Sequence, residues 1–454
     1  MPASPSTRTT GGLRQRIEAV LLPARDQLPA LREGRHQGPA QRVKDAPIVA
    51  ALIGEFMHLE GSLAQIMLRL YRMDISDPAL SQRRARMGKD LFEQIARRVL
   101  GPLCSAQQHS GAYLRDWLLV GIDGSKWSLP NTPQNASVPR ARTRRGPAAF
   151  GKMLVSTLVE LGSHAPLAAA MSTEHSDEQG LSRQLLAQLP PRSLLILDRL
   201  YGNAPMLHDL QEQCQAKQCH FLVRVRGKLA VQTQRHFRDG SAEVSVALRD
   251  KQSPRKVTAT LVVREVRGEV WSRLQQQWVS VRLWSSLSPA QASAKELLAT
   301  YAQRWEQELF YKELKLGLRR NDLVQSHTPE TAAQELLAML IACRLLAEER
   351  LAAAAQSEDE DVRRAGVQRI SFNKCRIHMM GLWITLSAGA GILSERQQEQ
   401  LIDAVRAQIA REALPKRRTR TCERKLRQPV KKWPRMFHPV SLNSPTKFKI
   451  TKIT

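Results

Sequence analysis

Few cysteines, few acids and no long apolar run mark this 454-residue chain. The six cysteines (Cys104, Cys214, Cys219, Cys343, Cys375, Cys422) are scattered, with no close Cys-x-x-Cys pair. His208, Cys214, Cys219 and His220 lie near each other, but their spacing fits no zinc template, and reduced cytosolic thiols are the better reading. The N-terminus has no signal-peptide pattern. The most apolar early segment, residues 47–71, contains Glu55, His58, Glu60 and Arg69, so it reads as buried helix and not as a membrane span. Acids are scarce against bases: 42 Asp and Glu face 69 Lys and Arg, a net charge of +27. Such an excess favours a polyanionic partner, most often nucleic acid. A ribosomal or membrane-surface protein would share that charge.

An apolar fraction of 42% is enough for a real core, and the length suggests two to four domains. Residues 1–12 are rich in Ser, Thr, Pro and Gly. Residues 13–110 carry helical patterns over Leu13 to Leu22, Ile48 to Met73 and Asp90 to Leu100, with Lys and Arg between the apolar positions. A helical N-terminal domain, 1–112, is expected, either reading DNA or simply a bundle with a solvated basic face. From Tyr113 the pattern becomes β-β-β-α-β-α-β as far as Val225, three strands in hairpins and then alternating units. A loop with Arg140, Arg142, Arg144, Arg145 and Lys152 and no acid follows the first strand. Residues 227–287 are β-branched, alternate with polar positions and hold Trp271, Trp278 and Trp284. Helices return over 288–413. The end, 414–454, is basic: 416–435 holds ten Lys and Arg against Glu423, and such blocks bind phosphates.

Two apolar runs end on an aspartate: Leu118-Leu-Val-Gly-Ile-Asp123 and Leu194-Leu-Ile-Leu-Asp198. Both read as buried strands that deliver a carboxylate at the edge of a sheet. The stretch from Tyr301 to Lys315 reads as a helix. At about 100° per residue, Tyr301, Arg304, Glu308 and Lys315 share an arc of roughly 60°. Leu297, Trp305 and Leu316 flank that stripe. Glu306 and Glu313 point away from it and are expected to be solvated. Alone, the helix could be an ordinary amphipathic one with Arg304–Glu308 and Glu308–Lys312 surface pairs. With Asp123 and Asp198 it offers an all-oxygen cage for Mg²⁺, the ion of phosphoryl transfer.

The Tyr-x2-Arg-x3-Glu-x6-Lys spacing of Tyr301, Arg304, Glu308 and Lys315 resembles the signature of the bacterial IS4-type DDE transposases. Asp123-Gly124-Ser125 is similar to that family's first-aspartate region. Asp198-Arg199, followed by Tyr201-Gly202, is similar to its second, and the β-rich stretch 227–287 to its insertion domain. The resemblance covers roughly residues 113–350. It implies an α/β fold: an RNase H-like catalytic domain (113–226 and 288–413) interrupted by a β-rich insertion, with helical N-terminal and C-terminal regions. It implies that Asp123, Asp198 and Glu308 are catalytic and hold two Mg²⁺ ions, with Mn²⁺ able to substitute. Tyr301, Arg304, Lys315 and Arg199 would contact DNA. Relatives place in the insertion a tryptophan that stacks on a flipped base; Trp278 and Trp284 are the candidates, with strand-face packing as the alternative. The expected partners are the double-stranded terminal repeats and target DNA, bound by a homodimer in the bacterial cytoplasm at the nucleoid, with no membrane. An RNase H-like nuclease, or a DNA-binding derivative without activity, would share most of these features.

Overall fold

The computed structural model describes residues 11–29, 31, 44–57, 61–140, 142–143, 146–173, 178–226, 229–250, 252–253, 255–272, 277–318 and 323–415. The basic block 416–435 and most of the serine- and proline-rich start therefore lie outside the described residues. Four helices open the chain: α1 (Leu13–Gln27), α2 (Asp45–Phe56), α3 (Leu63–Tyr71) and α4 (Asp77–Val99). The run expected as one helix over Ile48 to Met73 is two. Ser62 accepts from the Gln65 N–H, and the Gln65 side chain binds the Ser62 N–H. That reciprocal cap starts a new helix inside an apolar stretch, and Gly61 before it takes φ 114°. Helix α4 begins well before the expected Asp90 and is kinked at Gly88, at φ 68° and ψ 163°.

The centre is a mixed α/β sheet. Its first strands are β1 (Tyr113–Leu114), β2 (Trp117–Ser128), the short pair β3 (Arg142–Thr143) and β4 (Gly146–Pro147) on a side hairpin, β5 (Lys152–Glu160) and β6 (Ala165–Ser172). Helix α5 (Glu178–Leu186), β7 (Ser193–Leu197), α6 (Ala204–Ala216) and β8 (His220–Arg224) follow. Then come β9 (Gln232–His236), β10 (Ala242–Arg249), β11 (Val257–Ser272) and β12 (Gln277–Ser285). The order across the main sheet is β6-β5-β2-β7-β8-β12-β11-β10-β9. Strands β2, β7 and β8 are parallel, and every residue of β7 is buried, as a strand covered on both faces requires. The β-rich stretch continues this sheet, with Leu283 of β12 opposite Arg224 of β8.

Helix α7 (Ala294–Tyr301), a 3-10 turn (Ala302–Arg304), α8 (Trp305–Lys312) and a π-helical turn (Glu313–Leu318) form one nearly continuous rod. Helix α9 (Pro329–Ala355) has 27 residues and is buried almost all round, which places it inside the molecule. Helices α10 (Glu360–Ala365), α11 (Phe372–Ala388) and α12 (Glu395–Arg411) close the described chain. Helix α9 is the hub. Ile17, Leu52 and Phe92 from the N-terminal helices share one core with Leu340, Ile341 and Leu345. The Arg16 guanidinium reaches Glu349 of α9, which Arg406 of α12 also binds at 2.7 Å. Among the described residues, no helix is long and apolar enough to cross a membrane.

Candidate active site

Strands β2 and β7 pair in parallel from Leu118↔Ser193 to Gly121↔Ile196. Two further steps in the same register set Asp123 level with Asp198. Strand β7 stops at Leu197, whereas β2 runs on to Ser128, held by β5 with Asp123 opposite Thr157. Asp123 is therefore mid-strand, not at a strand end as expected; its neighbour ends, and that exposes it. Asp198 Oδ1 accepts the Leu200 N–H at 2.7 Å, which folds the chain over behind it. Tyr201 in that turn is fully buried. A Cβ at Gly202 would lie 2.2 Å from the Arg224 carbonyl oxygen, so only glycine lets the turn close on β8.

Asp123 Oδ1 accepts the Gly124 N–H at 2.9 Å. Burial pushes its carboxyl up to about 7; the Gly124 hydrogen bond opposes this, the charges of Glu178 and Asp198 add to it, and Arg304 lowers it. Tyr311, inward on α8, donates to the Asp123 carbonyl at 2.6 Å and fixes the strand at this point. Glu178, at the start of α5, is a carboxylate that the motifs did not point to. Its Oε1 accepts the same Gly124 N–H at 3.2 Å and the Tyr201 hydroxyl at 3.1 Å. Burial, then the charge of Asp198, raise its carboxyl above the ordinary glutamate value. The β-β-β-α-β-α-β pattern predicts this helix but does not single out the acid that opens it. An acid heading the helix that leads from β6 back to β7 was the available signal.

Arg304 donates to Glu308 Oε1 at 2.5 Å. Burial lowers the guanidinium, but the Glu308 bond and the charges of Tyr301, Glu308 and Asp123 outweigh it and hold Arg304 above its usual value. Tyr301 is half-buried, pushed up to about 12 chiefly by burial, with Arg304, Arg224 and Asp198 close enough to act on it. The structure thus brings Asp123, Asp198, Tyr301, Arg304 and Glu308 to one place. Lys315 lies further along β2, its ammonium 5.4 Å from the Trp127 ring centre and 3.5 Å from the Lys126 carbonyl oxygen. Arg199 is exposed beside Asp198.

Two expectations are overturned. Glu306 and Glu313 do turn away from Glu308, but into the protein and not into solvent. The rod buries Glu306, Gln307, Phe310, Tyr311 and Leu314, while Trp305 is 41% and Leu316 70% exposed. His164, buried and at φ 60° in the β5–β6 turn, meets Glu306 through Nε2 at 3.0 Å and Glu313 through Nδ1 at 2.8 Å. Arg350 of α9 adds a 3.0 Å bond to Glu313. Burial works against charge on both His164 and Glu313, yet the pairing wins: His164 is raised, and Arg350 and His164 hold Glu313 down at about 2. The second correction concerns Trp284. It is fully buried, its indole N–H donates to Glu265 at 3.0 Å, and no base can stack on it here. Trp278 pairs with Trp271 across β11 and β12, and its side chain lies outside the described residues.

As placed, no three acidic, histidine or cysteine side chains among the described residues are grouped to hold an ion, and Glu308 is paired with Arg304. The donor chemistry nevertheless suits a hard divalent cation: Asp123 and Asp198 bring carboxylate oxygens to the end of one parallel strand pair, and Glu178 shares the Gly124 N–H with Asp123. A cation would offset the repulsion between such carboxylates.

The family model described as a transposase DDE domain matches residues 118–345. The chain is 26% identical over 404 residues to the Escherichia coli (strain K12) transposase InsG of insertion sequence element IS4, covering 85% of this chain and 86% of that one. The chain belongs to the IS4-type DDE transposases. The E. coli putative transposase InsZ is 28% identical over 149 residues, 30% of this chain and 46% of that one. A cryo-EM structure of the piggyBac transposase synaptic complex with hairpin DNA covers 90% of this chain and 84% of that one, at 11% identity and a TM-score of 0.38. In this transposase, membership carries a general dependence on divalent metal, and DNA as the molecule acted upon.

Proposed function

We propose that this transposase cleaves the ends of its own element and joins the freed 3′-OH to target DNA. In this reading Asp123, Asp198 and Glu308 are the catalytic acids and hold two Mg²⁺ ions, which Mn²⁺ can replace, in an RNase H-like catalytic domain. The order of strands from β2 to β8 supports that fold. The observation that carries the site is the register of β2 with β7, which levels Asp123 with Asp198 beneath the rod bearing Glu308. When bound, the metals make the attacking oxygen a better nucleophile and stabilise the leaving one.

The protein's own groups then have clear tasks. Arg304 and Lys315, with Tyr301 and Arg199 beside them, grip phosphates on either side of the scissile bond and offset charge as it develops. A phosphate that takes Arg304 frees Glu308 to join Asp123 and Asp198. Trp278 and Trp305, the latter exposed next to Arg304, are the rings we assign to stack against a displaced base. The N-terminal helices and the basic 416–435 block bind the terminal repeats, and two copies assemble on a pair of ends in the cytoplasm. Incubating labelled end DNA and target with Mg²⁺ or Mn²⁺ tests this. Joined product is expected. Cut ends that are never joined would make the protein a nuclease, and binding without cutting would make it an inactive derivative.

A further inference from the structure

Two polar side chains of the rod lie buried against the sheet at positions that the Tyr-x2-Arg-x3-Glu-x6-Lys spacing leaves open. Gln307 is 1% exposed. Its Nε2 donates to the Thr157 hydroxyl at 3.3 Å and to the Thr157 carbonyl at 3.4 Å. A Cβ at Gly121 would lie 2.7 Å from Gln307 Oε1, so the glycine two residues before Asp123 makes room for this amide. Tyr311, about one helical turn further on, is also buried, with its hydroxyl 2.7 Å from Thr157 Oγ1 and 2.6 Å from the Asp123 carbonyl. Each hydroxyl has a single proton to give. Since the Asp123 carbonyl takes the Tyr311 proton, Thr157 donates to Tyr311, and the Thr157 oxygen accepts from Gln307. The result is a directed relay from Gln307 through Thr157 and Tyr311 to the main chain of Asp123. Thr157 stands opposite Asp123 in the β2–β5 ladder. Glu308 sits between the two rod members of the relay, and its own partner, Arg304, is on the same rod.

We propose that Gln307, Thr157 and Tyr311 are positioning residues for end cleavage: their relay sets where the Glu308 rod stands relative to Asp123 before DNA is bound. This rests on the reading of Asp123 and Glu308 as catalytic acids. Packing alone does not call for these side chains. Burying an amide or a hydroxyl costs free energy that apolar side chains of the same shape avoid. Gln307 Oε1 even lacks a hydrogen-bond partner among the described residues, so this position is not chosen for stability. What the polar groups add is direction. Apolar contact is non-directional and lets a helix slide by a fraction of an ångström, whereas a hydrogen bond confines its partners to a narrow range of distance and angle. The relay ends on the Asp123 carbonyl and does not engage the carboxylate. It therefore ties the rod that carries one acid to the main chain that carries another, and leaves both acids to their chemistry.

The test is single-turnover cleavage of labelled end DNA by excess full-length protein, well below the melting midpoint, beside the Kd for that DNA. Tyr311→Phe keeps the ring in the core and removes only the last bond of the relay. Its cleavage rate constant is expected to fall about 10- to 100-fold, the scale of a reacting group displaced by up to about 1 Å, with Kd unchanged. Thr157→Val breaks the middle of the relay and gives the same split between rate and affinity. The double variant loses less than the product of the two single losses, because both act on one chain of bonds. Phe310→Leu, a buried neighbour outside the relay, lowers the melting midpoint but cleaves like wild type. If Tyr311→Phe does not fold, Gln307→Leu takes its place in each comparison. The proposal is overturned if the deciding variant cleaves at the wild-type rate, if its loss is matched by weaker DNA binding, if the two losses simply multiply, or if Phe310→Leu loses as much. Asp123→Asn separates this from the reading beneath it. Wild-type cleavage by Asp123→Asn sinks the DDE reading itself, whereas an inactive Asp123→Asn beside wild-type cleavage by Tyr311→Phe sinks only the positioning role.

Discussion

Replacing His164 by alanine takes a partner from two buried carboxylates at once. Glu306 loses its 3.0 Å bond to the imidazole, and Glu313 loses the imidazole but keeps Arg350 at 3.0 Å. Breaking a buried ion pair by removing one member typically costs about 3–5 kcal/mol. Because Arg350 still serves Glu313, the lower half of that range applies. With an unfolding entropy near 2 cal/mol/K per residue, each kcal/mol moves the midpoint of so long a chain by about 1 °C, so a fall of roughly 3–4 °C is expected. The pH dependence has a definite sign. His164 is raised on folding, so its contribution is complete below the ordinary histidine value and fades as pH rises through the folded one. Glu313 is lowered to about 2, so its contribution stands above the ordinary glutamate value and is lost on acidification towards 2. The gap between wild type and His164→Ala is therefore widest between those limits, near pH 5–6, and narrows on either side. Melting followed by circular dichroism across pH measures it. Equal midpoints at pH 5.5 would refute the buried ion cluster. Glu306→Ala and Glu313→Ala belong with His164→Ala as destabilising changes, and cleavage should slow in all three, since the rod they anchor carries Glu308.

Asp123→Ala, Asp198→Ala and Glu308→Ala should each abolish end cleavage while end binding persists, since affinity comes mostly from Lys and Arg elsewhere; nicking at the wild-type rate by any of them removes that residue from the site. Deleting residues 416–454 should flatten the slope of log K against log salt for DNA binding and leave metal-dependent nicking intact, and an unchanged slope means the tail does not touch DNA.

What was legible followed local rules. The run Ser193–Leu197 is apolar because both its faces are covered, and so β7 and its aspartate stood out; the β-β-β-α-β-α-β order followed from the same signals. What was not legible depended on partners remote in sequence. The direction of Glu306 and Glu313 relative to Glu308 was right from helical spacing alone. Their solvation was wrong because Trp305 and Leu316 suggested that the Glu308 side faced the core, while His164, 142 and 149 residues away, supplied the inward acids with a counter-charge. Trp284 looked available because Glu265, its partner across the β11–β12 ladder, sits 19 residues earlier. Glu178 was missed because its meaning lies in Gly124 and Tyr201, which reach it only once the sheet has formed.

The placing of α9 sets a clock on synthesis. Arg16 of α1 waits for Glu349, 333 residues later in the chain, and the core of α1, α2 and α4 is completed only by α9 and the helices after it. At about 5–20 residues per second a ribosome takes roughly 15–70 s to cover that distance. Throughout that interval the first helices have apolar faces without partners, and they finish folding only after the acids of the active site have emerged. The N-terminal helices are therefore expected to mature together with the sheet, not ahead of it. Limited proteolysis of ribosome-stalled chains reads this directly: α1 to α4 should be cut readily when the chain stops before Pro329, and protection at that length would show that they fold without α9.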